Sequence, residues 1–249
     1  MSDTEPRSAT AASPKKRGIL REKAFLTLKD AILTGSLHRG EHLSEARLIR
    51  EFGIGRTPLR EALNRLEREG LVVSQPNSGC SVANLDVDAV CDLLVVREGL
   101  DAMAAEIAVK TATDEELQGL ARVMDDIYAL DRAHERTPEV YARELDLGLA
   151  VHEVILAATH NAPLIEITRR VYDQLRLALW VEVRWIDQWS MAVAEHRDII
   201  EAMLDRDAPR AAAAARAHVR SSWDNMQKIR EVAELRRTRG SRMPMRNDD

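Results

Sequence analysis

The chain has 249 residues, a length that suits two domains. It is 45% hydrophobic and 31% charged, which allows a buried core and excludes a disordered polymer. The formal charge of -5 argues against a nucleic-acid partner for the chain taken whole. Yet residues 1–83 hold 14 Lys+Arg against 10 Asp+Glu, a net +4, while residues 84–249 carry -9, so two units with different partners are expected.

Aromatic residues make up 4% of the chain, with 11 Gly and 8 Pro, a balance that favours helices over sheets. Cys80 and Cys91 cannot build a disulfide framework and fit no CxxC spacing. A reducing cytoplasm fits this usage. No uncharged apolar run reaches about 18 residues, so no membrane partner is expected.

Residues 1–17 are rich in Ser, Thr, Ala and Pro and end in Lys15-Lys16-Arg17, a flexible, basic-ended tail. Ile19, Leu20, Ala24, Leu28 and Ile32 recur at helical spacing over 19–33, with Gly35 placed to end the helix. Ser44 is an N-cap for a short helix over Glu45–Phe52, which Gly53 breaks. A third helix follows from about Thr57, with Thr57 as cap, Pro58 at the first helical position and Leu59, Leu63 and Leu66 facing inward. Gly70 ends it. Leu71-Val72-Val73 and Cys80-Ser81-Val82 are short β segments around the turn-rich Gln75-Pro76-Asn77-Ser78-Gly79. The order predicts a winged helix-turn-helix DNA-binding domain over 18–83. Arg56 and Arg60 are four apart and share a face at the N-terminal end of the third helix, where this motif meets base edges and phosphates. Thr57 adds a hydroxyl there.

From Asp86 onward the pattern is helix after helix. Asp86 caps 87–110, the capping box Thr113-Asp114-Glu115-Glu116 opens 114–134, and Thr137-Pro138 opens 138–159. Asn161-Ala162-Pro163 opens a helix to about 186, Asp187 or Ser190 one over 190–205, and Asp207-Ala208-Pro209 the last, to about 236. Short connections imply antiparallel neighbours. Residues 84–236 are therefore expected as an all-α bundle, and 237–249 as a disordered tail. His196 lies 11 residues before Asp207 and His218 11 after it, so an antiparallel hairpin sets both at one height. With His152 on a neighbouring helix, these imidazoles suit Zn²⁺ or another divalent transition metal; separate, hydrogen-bonded histidines are the plainer alternative.

The front stretch resembles the GntR family of bacterial transcription regulators. Arg56-Thr57-Pro58-Leu59-Arg60-Glu61-Ala62-Leu63 is close to that family's core motif, and Pro76-Asn77-Ser78-Gly79 is similar to its wing tip. The resemblance implies DNA contacts from Arg56, Thr57 and Arg60, and from the wing near Asn77 and Gly79. Two positions depart from it. Gly55 stands where Ser or Thr is frequent, and Ala46 where an Arg is common. Arg47, the remaining candidate there, is turned by about 100°.

The back stretch, over about 86–232, resembles the FCD effector domain of the FadR-like branch, through His152 with Asn161, Glu195-His196 and Ala217-His218. That resemblance implies a six- or seven-helix bundle holding a divalent metal through one Asp and three His, beside a small organic acid. The Asp expected four residues before His152 is Gly148 here, and Asp146 points about 120° away from His152. His152, His196 and His218 are left as the protein ligands. The remaining position is open to water or a ligand carboxylate, or the site is too weak to stay filled. Arg97, where this branch often has an inward arginine, either clamps the effector carboxylate or pairs with Glu98 or Asp101. Asn161 and Trp180 are further effector candidates. Trp180, Trp185 and Trp189 either wall a pocket or pack between helices.

The expected protein is a ligand-responsive DNA-binding regulator and not an enzyme. It is expected to be a homodimeric repressor that binds a two-fold symmetric operator and is retuned by a small carboxylate-containing metabolite. A metal-dependent hydrolase on the three histidines is the alternative. His152-Glu153 begins an HExxH motif, but none is completed.

Overall fold

The computed structural model describes residues 14–75, 79–132, 137–185 and 189–240, without the side chains of 14–17, 75, 138–139, 141–142, 179–185 and 232–240. Two compact units divide the chain, Met1–Asn84 and Leu85–Asp249.

In the first unit α1 spans Pro14–Leu33, so it begins inside the segment expected as a tail. Its buried face is Ala24, Phe25, Leu28, Ala31 and Ile32, whereas Ile19 and Leu20 stay exposed. Before residue 24 the contacts of α1 with α3 are ion pairs, Arg21 with Glu61 and Glu22 with Arg65, and the buried apolar stripe is shorter than the sequence pattern. α2 covers Glu45–Phe52 and buries Leu48; Gly53 ends it in the left-handed region at φ 65°, its N–H donating to the Ile49 carbonyl. Ser44 has the extended backbone of a cap but makes no side-chain capping bond.

α3 runs Arg56–Arg68. Its N-cap is Gly55 and not Thr57, because the Leu59 N–H already closes the first turn on the Gly55 carbonyl at 3.0 Å. Thr57 and Pro58 therefore lie within the first turn, where Pro58's missing N–H costs nothing. Leu59, Ala62, Leu63 and Leu66 are buried. At the other end the Leu71 N–H donates to the Leu66 carbonyl and the Gly70 N–H to Glu67. This is a Schellman closure, and it relies on φ +75° at Gly70. Two wing strands follow, β2 (Val72–Gln75) and β3 (Gly79–Val82). They are joined by a strand the sequence pattern did not suggest, β1 (His42–Leu43), in the order β1-β3-β2. Both pairings are antiparallel, with Leu43 opposite Cys80 and Val73 opposite Ser81. A two-residue strand carries too little periodicity to be read from sequence.

The second unit is helical: α4 (Val87–Thr111), α5 (Asp114–Arg132), α6 (Pro138–Ala157), α7 (Ala162–Trp185), α8 (Trp189–Leu204) and α9 (Ala208–Gly240). Five of the expected N-caps are made; Ser190 instead lies inside α8, and Asp187 falls outside the described residues. Asp86 accepts from the Ala89 N–H, Thr137 from Val140, Asn161 from Leu164 and Asp207 from Arg210. Thr113 and Glu116 form the reciprocal capping box, with the Thr113 N–H donating to Glu116 Oε2 at 2.8 Å and the Glu116 N–H to Thr113 Oγ1 at 3.2 Å. α9 continues four residues past the expected end. Small residues on both partners, Ala104, Ala105 and Ala108 on α4 and Ala211 and Ala215 on α9, are buried in one core. They let these two long helices approach closely. A second core joins Val90, Leu94, Leu145, Leu175, Val219 and Met226 from α4, α6, α7 and α9. Among the described residues no helix is long and apolar enough to cross a membrane.

Candidate nucleic-acid interface and candidate metal centre

The first turn of α3 lies on the surface, and Arg56, Thr57 and Arg60 are all exposed. Arg56 has no ion-pair partner among the described residues. Arg60 donates through Nε to Glu45 Oε1 at 2.8 Å, which pushes its pKa further up. This places Glu45, from the first turn of α2, beside the recognition helix, a neighbour that sequence spacing did not reveal. Arg47 is held by Glu41 and Glu51. Gly79 sits at φ +76°, and a Cβ there would come within 3.0 Å of His42 Cε1. The wing thus needs glycine at this position both for its turn and for the close approach of β1. Asn77 lies outside the described residues.

In the second unit the three histidines meet. His152 on α6, His196 on α8 and His218 on α9 are each buried. Their ring centroids are 5.4 Å (152–196), 5.0 Å (152–218) and 4.4 Å (196–218) apart. One donor atom from each lies within 4.8 Å of the others. The hairpin argument from Asp207 thus brings His196 and His218 level. Burial lowers all three pKa values. Arg97 adds to this at His152, the neighbouring histidines at His196, and His152 and then Arg97 at His218. Neutral imidazoles, with lone pairs free, are what a metal requires.

Two carboxylates stand behind the rings. Asp101 Oδ2 lies 3.1 Å from His152 Nδ1, and Glu195 Oε2 lies 2.9 Å from His218 Nδ1. Asp101 is itself almost fully buried. It accepts from Arg97 Nε at 3.0 Å and from the Tyr172 hydroxyl at 2.6 Å. Burial opposes its ionisation, but Arg97 and then His152 outweigh that and hold the carboxyl well below the usual carboxylate range. Burial, with Asp101 next to it, pushes the Tyr172 phenol up. Burial likewise raises Glu195.

What is left over is informative. His152 Nε2 and both ring nitrogens of His196 are buried without a hydrogen-bond partner. A Cβ at Gly148 would lie 3.3 Å from His196 Cε1 and 3.8 Å from its Nε2, so this position borders the cluster and contributes no ligand. Asp146 is turned away and pairs with Arg176.

The other sequence candidates are placed as follows. Arg97 is buried on Asp101, with its guanidinium carbon 5.2 Å from the Tyr172 ring centre. Asn161 is exposed and caps α7. The Trp180 side chain lies outside the described residues. Asp101, Tyr172 and Glu195 were not singled out as site residues. Arg97 and Asp101 share a helix face at i,i+4, and this was the only local signal for any of them.

Comparison with known proteins agrees with the two units. The model for bacterial regulatory proteins of the gntR family matches residues 20–82, and that for the FCD domain matches 92–221. The Nta operon transcriptional regulator of Aminobacter aminovorans is 31% identical over 193 residues, 76% of this chain and 86% of that protein. The HTH-type transcriptional repressor GlaR of Escherichia coli (strain K12) is 26% identical over 202 residues, 77% of this chain and 89% of that one. Among solved structures, E. coli McbR/YncC has the same fold, with a TM-score of 0.69 at 16% identity, covering 84% of this chain and 97% of its own. The chain belongs to the GntR family and carries an FCD domain. It is a DNA-binding transcription regulator. Its relatives are regulators and not hydrolases, and the hydrolase alternative falls with that.

Proposed function

We propose that this regulator acts as a homodimeric repressor whose two winged heads read a two-fold symmetric operator through the first turn of α3. The observation that carries the reading is the exposed Arg56, Thr57 and Arg60 on that turn. Each good bidentate Arg–guanine contact discriminates by about 1–3 kcal/mol, and the N-terminus of α3 favours a phosphate. Arg47, Asn77 and Gly79 complete the proposed interface, with Gly79 shaping the wing. Repression is supported by the name of the E. coli relative, a repressor.

The domain division proposed with it runs from a winged head over 18–83 to an effector-binding and dimerisation domain over 84–236. In the latter, His152, His196 and His218 would hold a divalent metal such as Zn²⁺. The donor set fits, because neutral nitrogen ligands converge and two Nε2 atoms are buried without partners. Such an ion supplies a Lewis-acidic position for a carboxylate oxygen of the effector. Gly148 contributes no ligand, which leaves that position open. Arg97, whose Nε is taken by Asp101, is proposed to offer its other guanidinium N–H groups to the effector carboxylate, with Asn161, the cap of α7, and Trp180 as further effector contacts. Effector binding retunes the operator by favouring one dimer geometry over another.

Selection of duplexes from a random pool tests the DNA part. A two-fold symmetric consensus, lost in the Arg56→Ala, Arg60→Ala double variant, is the expected result. An asymmetric site bound equally by that variant would remove both the dimer and the residue assignment. A reporter fused to the selected site then separates repression, seen as rising output on deletion of the gene, from activation. Elemental analysis of wild type against His196→Ala tests the metal.

A further inference from the structure

Asp101 is the least expected member of the histidine cluster and the best connected. It sits on α4, and its partners come from α4, α6 and α7. Oδ1 accepts the Tyr172 hydroxyl, and Oδ2 accepts Arg97 Nε and His152 Nδ1. The Asp101 side chain is 2% exposed, so no water competes for it. A hydrogen on His152 Nδ1 leaves the lone pair of this imidazole on Nε2, the atom that is buried and without a partner. The carboxylate therefore stands behind the ring, not in the ligand set. The ligand-capable cluster among the described residues contains the three histidines and no acid. Gly148 borders it through His196 with no side chain to offer.

We infer that Asp101 is the positioning residue of this centre: held by Arg97 and Tyr172, it fixes His152 as the Nδ1–H tautomer and aims Nε2 at a divalent cation. The inference rests on the reading that the three histidines hold such a cation. Asp101 supplies at one remove what a ligand carboxylate at position 148 would supply by contact. It gives a fixed negative charge facing the cation through a polarised imidazole, a more basic ligand and a single ring orientation. Glu195 makes the matching contact behind His218, but it is less buried and burial raises its pKa. Asp101, more buried and met by three hydrogen-bond partners, is the firmer of the two. Arg97 and Tyr172 determine where the carboxylate stands. Its three partners, from α4, α6 and α7, together hold it in place.

The test uses Co²⁺ as the probe with the full chain, after the metal has been stripped. Wild type is expected to bind Co²⁺ with a visible d–d absorption band. Asp101→Asn keeps the shape, and it is expected to lower Co²⁺ affinity by about 10–100-fold and to alter the band, with helical content unchanged. In the metal-free state, ¹⁵N-histidine spectra are expected to show His152 as the Nδ1–H tautomer in wild type and as a mixture in Asp101→Asn. A merely structural role would move the melting temperature but neither the tautomer nor the affinity. If Asp101→Asn does not fold, Tyr172→Phe takes its place. It loosens the carboxylate without removing its charge, and the expected loss of affinity is less than about tenfold. No Co²⁺ binding by wild type overturns the metal reading itself. Wild-type binding matched by the variant, with the His152 tautomer unchanged, overturns the role of Asp101 alone.

Discussion

Glu45→Gln should tighten operator binding, and the structure says by how much. In the free protein Glu45 Oε1 accepts from Arg60 Nε at 2.8 Å, with 63% of the Arg60 side chain and 39% of the Glu45 side chain exposed. An ion pair that open to water contributes about 0.2–1 kcal/mol. The proposed bidentate contact of Arg60 to guanine would be worth about 1–3 kcal/mol, more than the pair that competes with it. The pair only subtracts from the gain. Arg56 has no such partner among the described residues, so its proposed contact would be undiminished. Glu45→Gln removes the competing charge and the repulsion between Glu45 and the phosphates. The expected gain of about 0.2–1 kcal/mol per head makes roughly a two- to thirtyfold tighter complex over the two heads of a dimer. Arg56→Ala should lose about 1–3 kcal/mol per head, the larger effect. Fluorescence anisotropy with a labelled operator duplex at two or more salt concentrations measures both. Because the term is electrostatic, the gain should shrink as salt rises. Weaker binding by Glu45→Gln would refute the reasoning, since it would mean that Glu45 steers Arg60 onto its base and does not compete for it.

Three further outcomes are expected. His196→Leu removes a buried imidazole with unsatisfied nitrogens, so metal-free protein should gain about 1–3 kcal/mol. Any melting-temperature rise on adding Zn²⁺ should vanish in the same variant, and paired thermal melts with chelator and with Zn²⁺ read both. Gly79→Ala forces a side chain to φ +76° and against His42 at 3.0 Å; a cost of about 1–3 kcal/mol to the first unit should appear in chemical denaturation, with weaker DNA binding. Thr113→Ala should cost the second unit about 1 kcal/mol by denaturation. The Thr113 N–H holds the Glu116 carboxyl below its ordinary range. Its contribution is thus complete above the ordinary carboxylate pKa and is lost as pH falls through the lowered one. Thr113→Ala keeps that N–H and removes only the smaller contribution of the hydroxyl, which donates to Glu116 Oε2 at 2.9 Å, so the variant's stability should fall only slightly less than that of wild type between neutral pH and that acid range.

Local chemistry made most of the fold legible. Asp86, Thr113, Thr137, Asn161 and Asp207 each announce a helix start by a side-chain oxygen three residues ahead of the N–H it accepts. A cap is a contact within one turn, so sequence spacing contains it. Gly55 in place of Thr57 as the cap of α3 was missed because a glycine cap leaves no side-chain signature. β1 was missed because its pairing lies 39 residues away, with His42 on Ser81. The site divides in the same way. His196 and His218 could be placed level because one turn fixes both. Asp101 could not be assigned to His152, because the bond between α4 and α6 depends on how two non-consecutive segments pack. The same holds for Tyr172, 71 residues from Asp101.

The histidine cluster is also where the chain breaks the rules it keeps elsewhere. Buried polar atoms are normally satisfied, and most helix caps and ion pairs here are. Yet three buried imidazoles converge here, and three of their ring nitrogens have no hydrogen-bond partner. Leaving such groups unpaired costs about 1–3 kcal/mol each, and apolar residues of similar volume would pack at no such cost. Binding returns free energy that grows with the logarithm of ligand concentration above the dissociation constant, about 2.7 kcal/mol for a ligand at a hundred times that constant. That is the same size as the penalty. Such a site is loosened when empty and tightened when filled. Because His152, His196 and His218 come from α6, α8 and α9, occupancy would act on the packing of three helices together. A regulator needs this property of its effector domain: a bound small molecule must change the balance between conformations by an amount comparable to the free energies that separate them. The strain at the cluster is therefore better explained by response to a ligand than by stability.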